Sequence, residues 1–236
     1  MAFPVSEVLM GYGAKIYNSA GGIVADTSYP VMSVFGVSQS VVAGVDTYTG
    51  SDGSITLYRH THSVSSFNPS RGDLLLPRIG ISEGLFPNVL GQDYILLTRG
   101  SPTDLVHVVP TYVPSPDGFG MALYDETGRV TFVSNGDTLD IKGFANAAIT
   151  SANAQNNGVI ATINTTSANA DCAFISPALY GRNIDAGSHY IHVAPKIVRT
   201  TSTQWRVSTV AFDFPAQITN IITSNAFSCA IVAEVS

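Results

Sequence analysis

Hydrophobic and aromatic residues fall in short runs along this chain, each closed by a cluster of Gly, Asn, Asp, Ser or Pro. The clearest runs are AKIYNS, SITLYRHTHSV, DYILLT, VHVVPTYV, RVTFVS, GVIATINTT, HYIHVAPKIV and WRVSTVAFDF. Short strands joined by turns give this punctuation. Val, Ile, Thr, Tyr and Phe, which fit a pleated and half-buried surface, are abundant. A helical period is absent; ANAAITSANAQNN comes nearest, and its Asn and Ser residues weaken it. The pattern predicts an all-β protein.

One piece of the pattern is written twice. GYGAKIYNSAGGI at 11–23 aligns without a gap with GFGMALYDETGRV at 118–130. Gly11/Gly118, Gly13/Gly120, Tyr17/Tyr124 and Gly21/Gly128 are identical, and Ile16/Leu123, Asn18/Asp125 and Ile23/Val130 keep their character. Each copy reads as a hairpin. Strand Ala14–Tyr17 runs into Asn18-Ser19-Ala20-Gly21 and a second strand begins at Ile23; Asp125-Glu126-Thr127-Gly128 is the matching turn. Asn or Asp opens such a turn by bonding its own backbone two residues on, and Gly closes it because it tolerates φ > 0. A further strand ending in Gly follows each hairpin, VMSVFG and then TLDIKG.

The repeat distance is that of a small domain, not of a solenoid unit. It predicts two tandem, related β-sandwich-like modules, residues 1–115 and 116–236, with hairpin motifs at 11–36 and 118–143. Each is long enough to bury a modest core of its own. The boundary is set near Ser115, inside VPTYVPSPDG, where Pro110, Pro114 and Pro116 break any central strand.

Charge changes the picture from fold to assembly. Only 12% of the 236 residues are charged, against about a quarter in ordinary soluble domains. From Gly143 to Ala170 there is no charge at all. Such a surface is poorly guarded against self-association, so much of it is expected to be covered by other subunits. The net charge of −6 and the lack of any Lys/Arg cluster argue against a nucleic-acid partner. No apolar run approaches the roughly 18 residues needed to span a bilayer. MAFPVSEVLMGYG lacks the charged and apolar parts of a secretory signal. Cys172 and Cys229 sit in the apolar runs DCAFIS and FSCAIVAEV and read as buried free thiols.

The duplicated pattern, Gly-aromatic-Gly, two residues, aliphatic-Tyr, Asn/Asp, two residues, Gly, then Val/Ile, resembles a motif of small structural proteins of tailed bacteriophages. These are described as tail-tip, tail-fibre or minor virion proteins. The resemblance covers Gly11–Gly36 and, more clearly, Gly118–Gly143, where GRVTFVSNGDTLDI continues it. It implies a virion component of the tail, made in the bacterial cytoplasm and assembled without secretion. The expected partners are other copies of the chain, as a homotrimer, other phage structural proteins, and a host surface glycan or protein. A capsid decoration or head-fibre protein is the alternative. A glycan-degrading fibre and a bacterial adhesin are weaker readings.

Candidate chemistry is sparse. His60 and His62 stand two apart in TLYRHTHSV, so in a strand both imidazoles face one way. Two ligands make no closed site, although a trimer with this strand on its axis would supply six, as phage fibres do; the plainer reading is a polar, solvent-facing strand. His189 and His192 would fall on opposite faces. Arg71-Gly72-Asp73 matches an integrin-binding tripeptide but is expected to form a turn after FNPS. Tyr48, Tyr58 and Trp205 are candidates for a sugar-binding face, with core packing the default. The Asp125-Glu126 pair sits in a turn and reads as solvated. There is no Gly-x-Ser-x-Gly elbow, phosphate-binding loop or His-Glu-x-x-His. No catalytic residue, cofactor or metal is assigned.

Overall fold

The computed structural model describes residues 15–17, 23–26, 32–50, 53–87, 95–110, 122–124, 130–133, 137–150, 152–153, 157–176, 178, 180–185, 189–212 and 226–235. Within them the chain is all β apart from one 3-10 turn, Pro69–Arg71. The strands begin with β1 Lys15–Tyr17, β2 Ile23–Asp26, β3 Ser33–Gln39, β4 Val41–Gly50, β5 Gly53–Thr61 and β6 Leu74–Pro77. Next come β7 Gly84–Phe86, β8 Ile95–Leu97, β9 Asp104–Val109, β10 Ala122–Tyr124, β11 Val130–Val133 and β12 Leu139–Ile149. The last six are β13 Val159–Asn164, β14 Cys172–Ile175, β15 Tyr180–Asp185, β16 His189–Arg199, β17 Gln204–Phe212 and β18 Ala226–Val235.

β1–β2 and β10–β11 are the two expected hairpins. Lys15, Ile16 and Tyr17 face Asp26, Ala25 and Ile23, while Ala122, Leu123 and Tyr124 face Val133, Phe132 and Val130. The offset that carries Gly11 to Gly118 carries each of these pairs onto its counterpart. Both ladders shift register at the same step, just before the shared Tyr. The turns, with their Asn/Asp and Gly positions, lie outside the described residues.

The likeness continues past the hairpins. Two three-stranded antiparallel sheets have the orders β3-β9-β6 and β12-β18-β14. The first bulges between Val34 and Gly36, the second between Ile141 and Gly143, again at the same offset. Single bridges, Ser33 to Thr138 and Arg78 to Cys172, link the two sheets at both margins. The six strands thus come round one core of Val34, Leu76, Val106, Val108, Leu139, Cys172 and Ala233.

A larger sheet, β13-β17-β16-β7-β8-β5-β4 with β15 on the flank of β16, packs against this ring. Residues from both halves of the chain meet in its middle, where Leu85 and Gly84 of β7 face Ile197 and Val198 of β16. One face lies on β14 and β18, with Trp205, Val207, Ile197, Leu85 and Leu97 meeting Ala173, Ile175, Ala230 and Val232. The architecture is therefore all-β and sandwich-like. Clusters that hold Val34 with Cys172, Leu85 with Trp205, and Leu57 with Val210 draw on both halves. The described core is shared between the halves, although each is long enough to bury a modest core of its own. Arg78 and Asp171 reinforce the seam with two hydrogen bonds of 2.9 and 2.8 Å. The boundary set near Ser115 lies outside the described residues.

Two local outcomes show how context overrides residue preference. ANAAITSANAQNN is not helical where described: Ala145–Ile149 belongs to β12 and Asn153 folds back to accept the Thr150 N–H at 2.7 Å. Pro195 sits inside β16, although Pro lacks a donor for the ladder. Its opposite number on β17 is Thr209, whose N–H points away to Gly158. The Pro195 nitrogen therefore faces the other edge of β16. There the partner changes from β15, ending at Val193, to β7, beginning at Ile197. No ladder bond is lost.

Candidate interaction surface

The histidine pair of TLYRHTHSV does not form a shared site. His60 ends fully buried within β5, and His62 lies just beyond that strand, half-buried and edge-on to Phe67 at 5.1 Å. His60 Nε2 is 2.8 Å from the Arg99 carbonyl, which only accepts, so Nε2 carries the proton. Nδ1 then accepts from the Ser40 hydroxyl at 2.9 Å, and Ser40 Oγ accepts from the Thr103 N–H at 3.0 Å. Both ring nitrogens are committed to tying β5 to the 99–103 segment. The expectation of a solvent-facing strand is corrected at His60: the side chain is buried, held by the Arg99 carbonyl and the Ser40 hydroxyl. Among the described residues no three His, Cys, Asp or Glu side chains gather as metal ligands would.

Burial of the ring lowers the His60 pKa below its ordinary 6.5; the Arg99 carbonyl opposes that, the Arg99 charge adds to it and the Glu83 charge opposes it. A proton thus binds the unfolded chain more readily than the folded one. His60 contributes stability in full above pH 6.5, and loses it as pH falls from there through the lowered pKa. We expect the unfolding free energy from urea titrations to drop between pH 6.5 and 5, with a limiting slope of about 1.4 kcal/mol per pH unit for this one proton. The slope should flatten in His60→Gln; an unchanged slope would rule out His60 as its source.

Arg71-Gly72-Asp73 does form a turn after FNPS. Asn68 caps the 3-10 turn by accepting the Ser70 N–H at 3.1 Å, and Gly72 adopts φ 90°, a left-handed backbone that favours glycine. Asp73 is buried, not presented. Its Oδ2 accepts from the Asn68 N–H at 2.9 Å and from His107 Nε2 at 3.0 Å. His107 sits mid-strand in β9 between Phe35 and Phe67, with ring centroids 5.1 and 5.7 Å away. This buried pair escaped the sequence reading because its members are far apart in the chain and neither belongs to a motif. Its bonds lock the 62–73 segment over β9, and it has no route to solvent.

The aromatic candidates go inward as well. Trp205 is fully buried beneath the Arg199 guanidinium, 5.5 Å from the ring centroid. Tyr58 is half-buried and packs against Gly100, where an added Cβ would meet its ring at 2.7 Å. Tyr48 stands in β4 opposite Ile55, and its side chain, like those of His189 and His192 in β16, lies outside what is described. Asp125-Glu126 also lies outside the described residues. Cys172 and Cys229 are free thiols. Burial, then the neighbouring Asp171 charge, pushes the Cys172 thiol up to about 12, so it stays protonated and inert at neutral pH.

Most of the exposed large hydrophobics lie on strands at the margins of their sheets. β3 and β4 are margins of their two sheets and follow one another through Ser40 without a loop. Along them Phe35, Val37, Gln39, Val41, Ala43, Val45 and Thr47 are exposed in strict alternation. Val41 is 60% exposed and Val45 53%. Residues 33–50 carry one charge, Asp46, and it is taken up by Arg59 at 3.0 Å. β12, the margin of the other three-stranded sheet, exposes Ile141 and Phe144. The signal was present in the sequence as alternation with almost no charge, but which parity faced out was not. Compared with known proteins, the chain matches no family model, no curated protein and no solved structure.

Proposed function

We propose that this chain is a non-enzymatic structural component of a bacteriophage virion, a tail-tip or tail-fibre protein that works as a homo-oligomer in tail assembly or host attachment. The observation that carries the structural part is the apolar, nearly uncharged margin from Phe35 to Thr47. Exposed apolar side chains with so little charge beside them are poorly guarded against self-association. The assignment to a tail rests on the resemblance of the two hairpin motifs.

Antibody-gold labelling of intact phage particles, viewed by electron microscopy, tests the reading. Gold at the tail end is the expected result. Gold on the head would replace the tail assignment with a decoration or head-fibre protein, and unlabelled particles would overturn the virion reading.

A further inference from the structure

We infer that the face of β13, β17 and β16 turned away from β14 and β18 is a binding site for an acidic sugar, with Lys196 and Arg206 taking its phosphate or carboxylate group. The inference goes beyond the reading above and stands whatever particle the chain belongs to.

Strand register brings the two cations together. Lys196 stands opposite Ser208 and Val198 opposite Arg206, so Lys196 and Arg206 are diagonal neighbours on one face, within reach of long side chains. Trp205, Val207 and Ile197 take the opposite parity and fill the core. Thr162 stands beside Arg206 on β13, and both are exposed, while Lys196 is half-buried. One step along the face, Gln204 Nε2 donates to Asn164 Oδ1 at 3.2 Å and Thr200 Oγ1 donates to Gln204 Oε1 at 3.3 Å.

Charge says what the face would take. Among the described residues, Arg59, Arg78, Arg99 and Lys142 each meet a carboxylate, and Arg199 is held by carbonyls. Lys196 and Arg206 enter none of these ion pairs, and Lys196 Nζ donates instead to the neutral Asn157 Oδ1 at 2.6 Å. Residues 157–170 and 186–212, which supply the face, contain no Asp or Glu, although the whole chain carries a net charge of −6. Burial, and after it the Arg206 charge, lowers the Lys196 pKa. An oxyanion set between the two side chains replaces that repulsion with charge-assisted hydrogen bonds. The neighbouring Thr162 hydroxyl and the Asn164 and Gln204 amides offer donors and acceptors together, which suits the hydroxyl groups of a sugar. No exposed aromatic stands among these residues for a nucleic-acid base to stack on.

The test is an NMR titration of backbone amides in the full chain with glucose 6-phosphate, glucuronate, inorganic phosphate and glucose. At least one acidic sugar should shift the Thr162 and Arg206 amides saturably, and the tighter of the two identifies the anionic group. Glucose should not bind, and inorganic phosphate should bind about tenfold more weakly than the better acidic sugar. Arg206→Gln, at an exposed position, should weaken that binding about tenfold with the circular-dichroism spectrum unchanged. Lys196→Gln should do the same, and Lys142→Gln, at a cation already paired with Asp140, should leave the affinity as it is. Absence of saturable shifts from both acidic sugars would overturn the inference, as would binding indifferent to Arg206→Gln. Inorganic phosphate bound as tightly as the better acidic sugar would overturn the assignment to a sugar.

Discussion

Replacing Trp205 with alanine is expected to lower the stability of the chain by about 3–5 kcal/mol, the usual cost of truncating a fully buried large aromatic. Trp205 stands opposite both Arg199 and Ile163, at the centre of β13-β17-β16. It packs in the cluster that unites Leu85 and Leu97 of the first half with Ile197, Val207 and Val232 of the second. Its removal therefore opens a cavity where the halves share their core. It also leaves the Arg199 guanidinium, held by the Ile79 and Ala168 carbonyls at 3.0 and 2.7 Å, without the ring beneath it. Indole Nε1 has no hydrogen-bond partner among the described residues, so the loss is one of packing. Trp205→Phe should for that reason recover most of it. Trp205 is the only tryptophan, so the comparison is made by circular dichroism in urea. A loss under about 1 kcal/mol would contradict a shared core centred on this residue.

Asp73→Ala is expected to cost a similar amount, about 3–5 kcal/mol, because it removes one partner of a buried pair and strands the other. His107 Nε2 and the Asn68 N–H both lose their acceptor at once. Nδ1 of His107 already finds no partner among the described residues, so the ring would be left with none at either nitrogen. Asp73→Asn keeps an oxygen in place for both donors and should cost clearly less. The 62–73 segment is the part released first, and amide exchange at Asn68 should report it before the global transition does. Equal losses in the two variants would mean that the carboxylate charge, and not its two hydrogen bonds, holds the segment down.

Strand identity was legible because it follows from local chemistry. The hairpin strands run where the repeated motif put them, with the second strands beginning at Ile23 and Val130. Arg71-Gly72-Asp73 turned where Asn, Pro and Gly required it. The directions in which side chains point were less legible. His60 and Trp205 lie in strands that carry polar residues on either side, and alternation alone leaves open which parity is buried. A one-residue bulge is enough to exchange the two faces, and such irregularities occur at Phe35, Ala43 and Lys142.

The sequence by itself determined that the chain is all β, that it repeats one hairpin at a fixed offset, and that its surface is short of charge. Each of these depends on residues near one another or on simple counts. Only the tertiary structure decided that the halves share a core, that Asp73 finds His107, and that the exposed parity of β3 and β4 is the one holding Phe35, Val37, Val41 and Val45. Those outcomes depend on which strands pair across more than thirty residues of chain. Many pairings satisfy the same local pattern, and the one adopted is selected by the apolar area that all the strands bury together.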